Sequence, residues 1–247
     1  MDYPPTKTEP FAHQARTWQE TKDQPGWMLA YDMGTGKTKS AIDYMIGSGA
    51  ERAFVFCPKP VISVWPRQVA LHAGREIKVV ELEKGPIADR AAKAVRLYDF
   101  YTKTKQPFLM IVNYDAVWRA PLGPVYNKNH EIIERGFFMS REWDLGILDE
   151  SHRIKAPGGQ SSFFCSRLRP RVATRRLLTG TPMPHSPLDV YAQFRFLDPT
   201  IFGTSFSRFK HKYAIFGGYE NRQVVGYANV EEFNARFYSR ATRVERN

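Results

Sequence analysis

The chain is predicted to fold as an α/β domain, a mainly parallel sheet with helices on both faces, plus a small, mostly helical C-terminal appendage. Three observations predict it. Short apolar runs alternate with stretches of helical period, as expected when strands are buried on both faces. One run passes through a Gly-rich turn straight into a helical pattern. Another ends on two adjacent acids.

The first of these stretches, residues 27–42, organises the rest. Trp27-Met28-Leu29-Ala30 reads as a buried strand, Asp32-Met33-Gly34-Thr35-Gly36 as a sharp turn, and Lys37-Thr38-Lys39-Ser40-Ala41-Ile42 as the start of a helix. This is the arrangement of a phosphate-binding loop. Gly34 and Gly36 let backbone N–H groups approach a polyphosphate, and the helix N-terminus adds partial positive charge. Lys37 is placed to reach the β/γ-phosphates, and Thr38 to offer its hydroxyl to Mg²⁺. One departure stands out: Tyr31 occupies the place of the pattern's first glycine. The bland alternative is an ordinary strand–helix turn followed by a lysine.

Taken in order, the chain opens on a Pro-rich arm over residues 1–10. Residues 11–20 read as a short helix with Phe11, Ala15 and Trp18 on one face. Gln14 lies on it, and its amide suits the N6/N7 edge of adenine; a surface glutamine is the alternative. Residues 53–57 form a strand closed by Pro58-Lys59-Pro60, and 61–71 a helix on which Trp65 reads as core. Then come a strand at 76–82, a basic amphipathic helix at 87–101 and a buried strand at 108–112 ending in Asn113-Tyr114-Asp115. Residues 119–130 are a Pro/Gly/Asn-rich loop, and 131–139 are predicted helical. A strand at 143–148 delivers Asp149-Glu150-Ser151-His152. A helix at 160–168, a strand at 175–179 running into Gly180-Thr181-Pro182, and a helix at 187–197 complete the expected sheet. Beyond it, 202–213 and 230–238 read as helices flanking a hairpin.

Composition narrows the function classes. The 247 residues suit one large domain or two small ones. Nothing is apolar and long enough to span a membrane, and no secretory leader opens the chain, so an intracellular, cytoplasmic protein is expected. Two cysteines, Cys57 and Cys165, make neither a disulfide framework nor a metal cluster, and Cys57 reads as a core thiol. The net charge of +11 points to a polyanionic partner. The charge gathers in Arg167, Arg169, Arg171, Arg175 and Arg176, and again in Arg208, Lys210, Lys212, Arg222, Arg236, Arg240 and Arg243. A merely solubilising surface is the alternative.

The two acids complement the loop. An acid at the end of a buried strand can hold Mg²⁺ beside Thr38 through water, which suits Asp149. Its neighbour Glu150 is placed to polarise an attacking water as general base. A helix N-cap pair or a solvated turn is the other reading of such a doublet.

Together, DMGTGKT at 32–38, DESH at 149–152 and LTGTP at 178–182 resemble motifs I, II and III of helicase superfamily two. The Thr-Gly-Thr-Pro form, with His152-Arg153-Ile154-Lys155 after the acids, is similar to the Swi/Snf-type DNA translocases, with a phage or bacterial flavour. The match runs roughly over residues 8–200, in order. The resemblance implies a RecA-like P-loop NTPase lobe over residues 1–200 and a basic, aromatic helical appendage over 201–247. It implies ATP and Mg²⁺ as cofactors and double-stranded DNA as partner, held mainly by phosphates. ATP would be bound by Gln14, Met33, Gly34, Thr35, Gly36, Lys37 and Thr38. Lys37, Asp149 and Glu150 would be catalytic, with Thr38 and Asp149 at the metal. Thr179, Gly180 and Thr181 would couple ATP state to DNA grip. Lys59, Asn113, Tyr114, Arg153 and Lys155 would meet nucleic acid. Family members have a second RecA-like lobe that supplies arginine fingers. None fits after residue 200, so this is expected to be lobe one of a longer protein, weak or inactive by itself. A strand-separating helicase lobe, or a nucleotide-dependent DNA-binding module without turnover, are the competing functions.

Overall fold

The computed structural model describes residues 3–129, 131–221 and 223–246. Its elements in chain order are α1 (Ala12–Thr21), β1 (Gly26–Tyr31), α2 (Lys37–Gly47), β2 (Arg52–Cys57), α3 (Val64–His72), β3 (Lys78–Glu81) and α4 (Ile87–Thr104). There follow β4 (Phe108–Asn113), α5 (Tyr114–Val117), β5 (Val125–Tyr126), β6 (Ile132–Glu134), α6 (Gly136–Met139), β7 (Trp143–Asp149), α7 (Gln160–Leu168) and β8 (Val172–Leu178). The last are α8 (Val190–Leu197), α9 (Pro199–Phe202), α10 (Phe206–Tyr213), β9 (Ala214–Gly217), β10 (Gln223–Tyr227), α11 (Val230–Tyr238) and β11 (Ala241–Val244).

Seven strands make one sheet in the order β11-β1-β8-β7-β2-β4-β3, and every pairing in it is parallel. The central strands are apolar along their whole length because both faces are covered. Phe54, Phe56 and Met110 point into one layer, and Val55, Cys57, Leu109 and Ile111 into the other. The first layer is dense in aromatics: Phe54 stacks on Phe56 at 4.3 Å and meets Trp143 edge-on at 5.2 Å. Cys57 and Cys165 are buried, and burial pushes both thiols up in pKa, so they act as core residues. No helix among the described residues is long and apolar enough to cross a membrane.

Three expectations need correction. The predicted helix at 131–139 is a strand followed by a short helix: β6 pairs antiparallel with β5, inside what reads as loop, and only Gly136–Met139 is helical. Phe137, Phe138 and Met139, the part that stays helical, are buried, whereas Ile133 and Glu134 of β6 are exposed and owe their strand to pairing with β5. The boundary at residue 200 is not a break in the core either. Phe202, Phe209, Tyr213, Phe233 and Phe237 join the same apolar layer as Phe54, and β11 extends the main sheet beside β1, Met28 facing Ala241. The helices and hairpin expected after residue 198 are present.

The third correction concerns charge. Arg175 and Arg176 are core residues of β8, not part of a basic face. Arg175 donates to the Leu197 and Val172 carbonyls at 2.8 and 2.6 Å. Arg176 donates to those of Thr21 and Gln24 and lies 3.4 Å from the Tyr44 ring centre. Burial lowers both to about 10, still charged at neutral pH. Arg171 pairs with Glu142, and Arg167 lies over the Phe163 ring. In the second set, Lys212 and Arg236 share Glu232, Arg240 meets Asp198, and Arg243 meets Asp32. Arg222 lies outside the described residues. Much of both runs is therefore buried or paired with acids rather than presented as free basic surface.

Candidate active site

The turn after β1 is shaped by two left-handed glycines, Gly34 at φ 83° and Gly36 at φ 85°. A side chain at either is strained. At Gly36 a Cβ would also sit 2.2 Å from the Gln14 amide nitrogen, whereas at Gly34 it would meet nothing within 4 Å. Tyr31, in the place of the pattern's first glycine, is still extended strand. Its ring is buried, with its hydroxyl donating to Thr17 at 2.5 Å, so no glycine is required there.

Lys37 Nζ donates to the Tyr31 and Asp32 carbonyls at 2.8 and 3.1 Å, which holds it over the root of the loop. Gln14 is buried, and both ends of its amide are engaged. Its oxygen accepts from Phe11 N–H at 2.8 Å and its nitrogen donates to the Gly36 carbonyl at 3.2 Å. Its first role is thus to brace the loop. His13 braces the other side, 2.8 Å from the Thr35 carbonyl, and the Thr35 hydroxyl bonds back to Asp32. Met33 is 78% exposed, so only its backbone belongs to the loop. Gln14, Gly34, Gly36, Lys37 and Thr38 line a pocket of about 430 Å³, whose far wall is His72 on α3 and Thr8 on the arm.

Asp149 ends β7 and is 5% exposed. One carboxylate oxygen accepts from Trp65 Nε1 at 3.0 Å, the other from Glu150 N–H at 3.0 Å. Burial raises its pKa to about 6, against the lowering effect of the Trp65 bond. Glu150 then turns with φ 51° and ψ 52°, a left-handed conformation costly for a non-glycine and common at functional sites. Its carboxylate lies 3.4 Å from His152 Nδ1. The same nitrogen is 3.1 Å from Thr179 Oγ1 and 3.5 Å from Thr181 Oγ1. Burial lowers the His152 pKa. Thr179 N–H bonds to the Leu29 carbonyl, and Gly180 runs beside Tyr31 and Asp32. The segment after β8 therefore touches both the loop after β1 and the acids after β7.

A divalent cation fits this chemistry. Asp149 is a desolvated carboxylate and Thr38 a hydroxyl beside the loop. Among the described residues no three His, Cys, Asp or Glu side chains group to hold a metal. A Mg²⁺ here would take its other ligands from phosphate and water, as that ion prefers.

Four of the five residues assigned to nucleic acid come together. Lys59, Asn113, Tyr114 and Arg153 line one cleft of about 280 Å³ with Pro58 and Ser161. Lys155 is not among its lining. Tyr114 needs correction as a contact: its ring is 5% exposed and its hydroxyl donates to the Asp149 carbonyl at 2.8 Å. Two residues that touch the acids were given no role of their own in the sequence reading. Trp65 is core as expected, but a buried indole N–H needs a partner, and that was the available signal. His152 was legible only as the acids' neighbour.

A parallel α/β sheet with this loop and these acids at one edge defines a P-loop nucleotide-binding domain. More particularly, the SNF2-related domain family matches residues 14–240, and the chain belongs to it. It is 29% identical over 196 residues to "SNF2 domain-containing protein ENL1" of Oryza sativa subsp. japonica, covering 76% of this chain and 18% of the relative. It is 28% identical over 177 residues to "DNA excision repair protein ERCC-6-like" of Bos taurus, covering 69% of this chain and 13% of the relative. The chain thus spans less than a fifth of the length of these curated relatives. In structure it resembles the "Sulfolobus solfataricus SWI2/SNF2 ATPase core in complex with dsDNA", with a TM-score of 0.74 at 21% identity over 99% of this chain and 46% of that one. The fold is therefore that of a SWI2/SNF2 ATPase core lobe, RecA-like as expected.

Proposed function

We propose that this chain is the ATP-binding lobe of an ATP-dependent double-stranded DNA translocase. The observation that carries this is the contact of Thr179–Thr181 with the phosphate loop on one side and, through His152, with Glu150 on the other. Gly34, Gly36 and Lys37 bind the phosphates, and Gln14 holds the loop toward the base. Thr38, and Asp149 through water, would hold Mg²⁺, which would supply positive charge to the β/γ-phosphates. Glu150 orients and deprotonates the attacking water, with His152 fixing its carboxylate relative to Thr179. DNA lies over the Lys59–Asn113–Arg153 cleft, held by phosphates and with little sequence preference.

Turnover is completed by a second lobe that closes over the nucleotide. Coverage of only 46% of the structurally similar ATPase core supports this. An arginine finger from such a lobe is worth about 10³–10⁵ in rate.

The test is Mg-ATP binding and hydrolysis with and without duplex DNA, beside Glu150→Gln. Binding of Mg-ATP and DNA is expected. Whatever turnover is seen, with or without an added second lobe, falls about 10²–10⁴-fold in Glu150→Gln while nucleotide binding persists. A folded chain that binds no Mg-ATP, or turnover indifferent to Glu150→Gln, overturns the reading.

A further inference from the structure

The two walls of the Lys59–Asn113–Arg153 cleft meet at one acid. The Pro58–Lys59 wall runs through a tight turn (Lys59–Val61) into α3, whose Trp65 is fully buried and donates to the Asp149 carboxylate at 3.0 Å. The Asn113–Asp115 wall carries Tyr114, which donates to the Asp149 carbonyl at 2.8 Å. Trp65 belongs to the apolar layer on one face of the sheet and Tyr114 to the layer on the other. Asp149 is thus gripped from both faces, once by its side chain and once by its backbone.

The lever arms are stiff. Pro58 and Pro60 fix φ at the first wall, and Pro66 fixes it just past Trp65. Tyr114 follows directly on Asn113, which pairs with Cys57 at the end of β2, so the walls are also tied to each other. The Ser161 hydroxyl bonds to the Tyr114 carbonyl at 3.3 Å and adds the start of α7 to the same frame. A small movement of the end of β7 reaches the cleft through packed, close-fitting groups rather than through a loop that could absorb it.

We propose that Trp65 and Tyr114 are positioning residues that couple the phosphate-loop site to the cleft through Asp149, on a route separate from Thr179–Thr181. The inference rests on the reading of these sites as a nucleotide site and a DNA site. Drawing the Asp149 carboxylate toward a nucleotide-bound cation reorients its bond to the Trp65 indole, and the cleft walls follow. DNA seated between the walls acts on Asp149 in the reverse direction, because coupling between two binding sites is reciprocal.

The test measures affinity for a short labelled DNA duplex with and without saturating Mg-ADP, in the wild-type chain, Trp65→Phe and Tyr114→Phe. The wild type is expected to change its DNA affinity about fivefold or more with nucleotide, and each variant at least about twofold less than the wild type does, the Thr179–Thr181 route remaining. A ¹⁵N-labelled indole signal, assigned to Trp65 by its loss in Trp65→Phe, is expected to move on adding Mg-ADP and on adding DNA. In Tyr114→Phe it still moves with Mg-ADP, and with DNA it moves less than in the wild type. A residue that only packs the core would leave coupling and signal unchanged. Should Trp65→Phe fail to fold, Tyr114→Phe, which loses one hydroxyl, decides. Wild-type coupling in a folded variant, or an indole signal still under both ligands, overturns the proposal. A wild-type chain that binds both ligands independently overturns it and leaves the functional reading standing. A chain that binds neither overturns both.

Discussion

The phosphate-loop pocket and the Lys59–Asn113–Arg153 cleft lie along the same edge of one sheet, and they are built in opposite ways. The phosphate loop of the pocket is one contiguous stretch, residues 31–38, whose chemistry is backbone N–H, two left-handed glycines and a lysine, with Thr8, Gln14, Gln68 and His72 closing the space around it. The cleft is assembled from the ends of β2, β4 and β7 and the start of α7, which only the strand order brings together. A locally encoded site fails through local geometry. A topologically encoded site fails through single charges or through the frame that holds its walls.

Mutations at the two sites should differ in kind. The largest effect is expected from Lys37→Ala, which removes the cation facing the phosphates. Mg-ATP affinity falls by about 2–5 kcal/mol by calorimetry, with DNA affinity in the absence of nucleotide unchanged. Equal loss of both would erase the distinction between the sites. Next is Gly36→Ala, where positive φ and the Gln14 contact add up to about 1–3 kcal/mol of lost stability by denaturant titration. Gly34→Ala carries the φ penalty without the clash, so it should cost less. If it costs more, the open space beside Gly34 has been misread.

Asp149→Asn sharpens the comparison through pH. A carboxyl raised to about 6 destabilises the folded state when ionised, so the penalty is absent below about pH 4 and complete above about pH 6. In metal-free buffer the variant should gain on wild type by about 2–3 kcal/mol across that window, read from paired urea titrations. A difference that is flat with pH would mean that Asp149 is not desolvated. The smallest effects belong to Lys59→Ala and Arg153→Ala. Each should lower the slope of log DNA affinity against log salt by about 1 and leave Mg-ATP affinity alone.

The same contrast explains what could be read in advance. The loop and the acid pair were legible because each needs particular residue types at adjacent positions, whereas a role for Thr179–Thr181 came only from resemblance. The grouping of Lys59, Asn113 and Arg153 came only from resemblance, since nothing in those short stretches says that they are neighbours. Arg175 and Arg176 show the limit most plainly. As letters they extend a basic run, yet in β8 they reach carbonyls of α1, α8 and the turn before β1, partners that exist only once the chain is folded. The β5–β6 hairpin was missed because so short a pair carries no alternation to detect.

The order of residues alone was enough for the alternating α/β pattern, the phosphate-binding turn and the identity of the acids, because backbone conformation and hydrophobic periodicity are set by neighbours along the chain. Three things waited on the fold: β11 joining the sheet beside β1, the burial of the paired arginines, and the convergence of Trp65 and Tyr114 on Asp149. Each depends on residues far apart in sequence sharing one buried space, and burial is a property of the packed molecule.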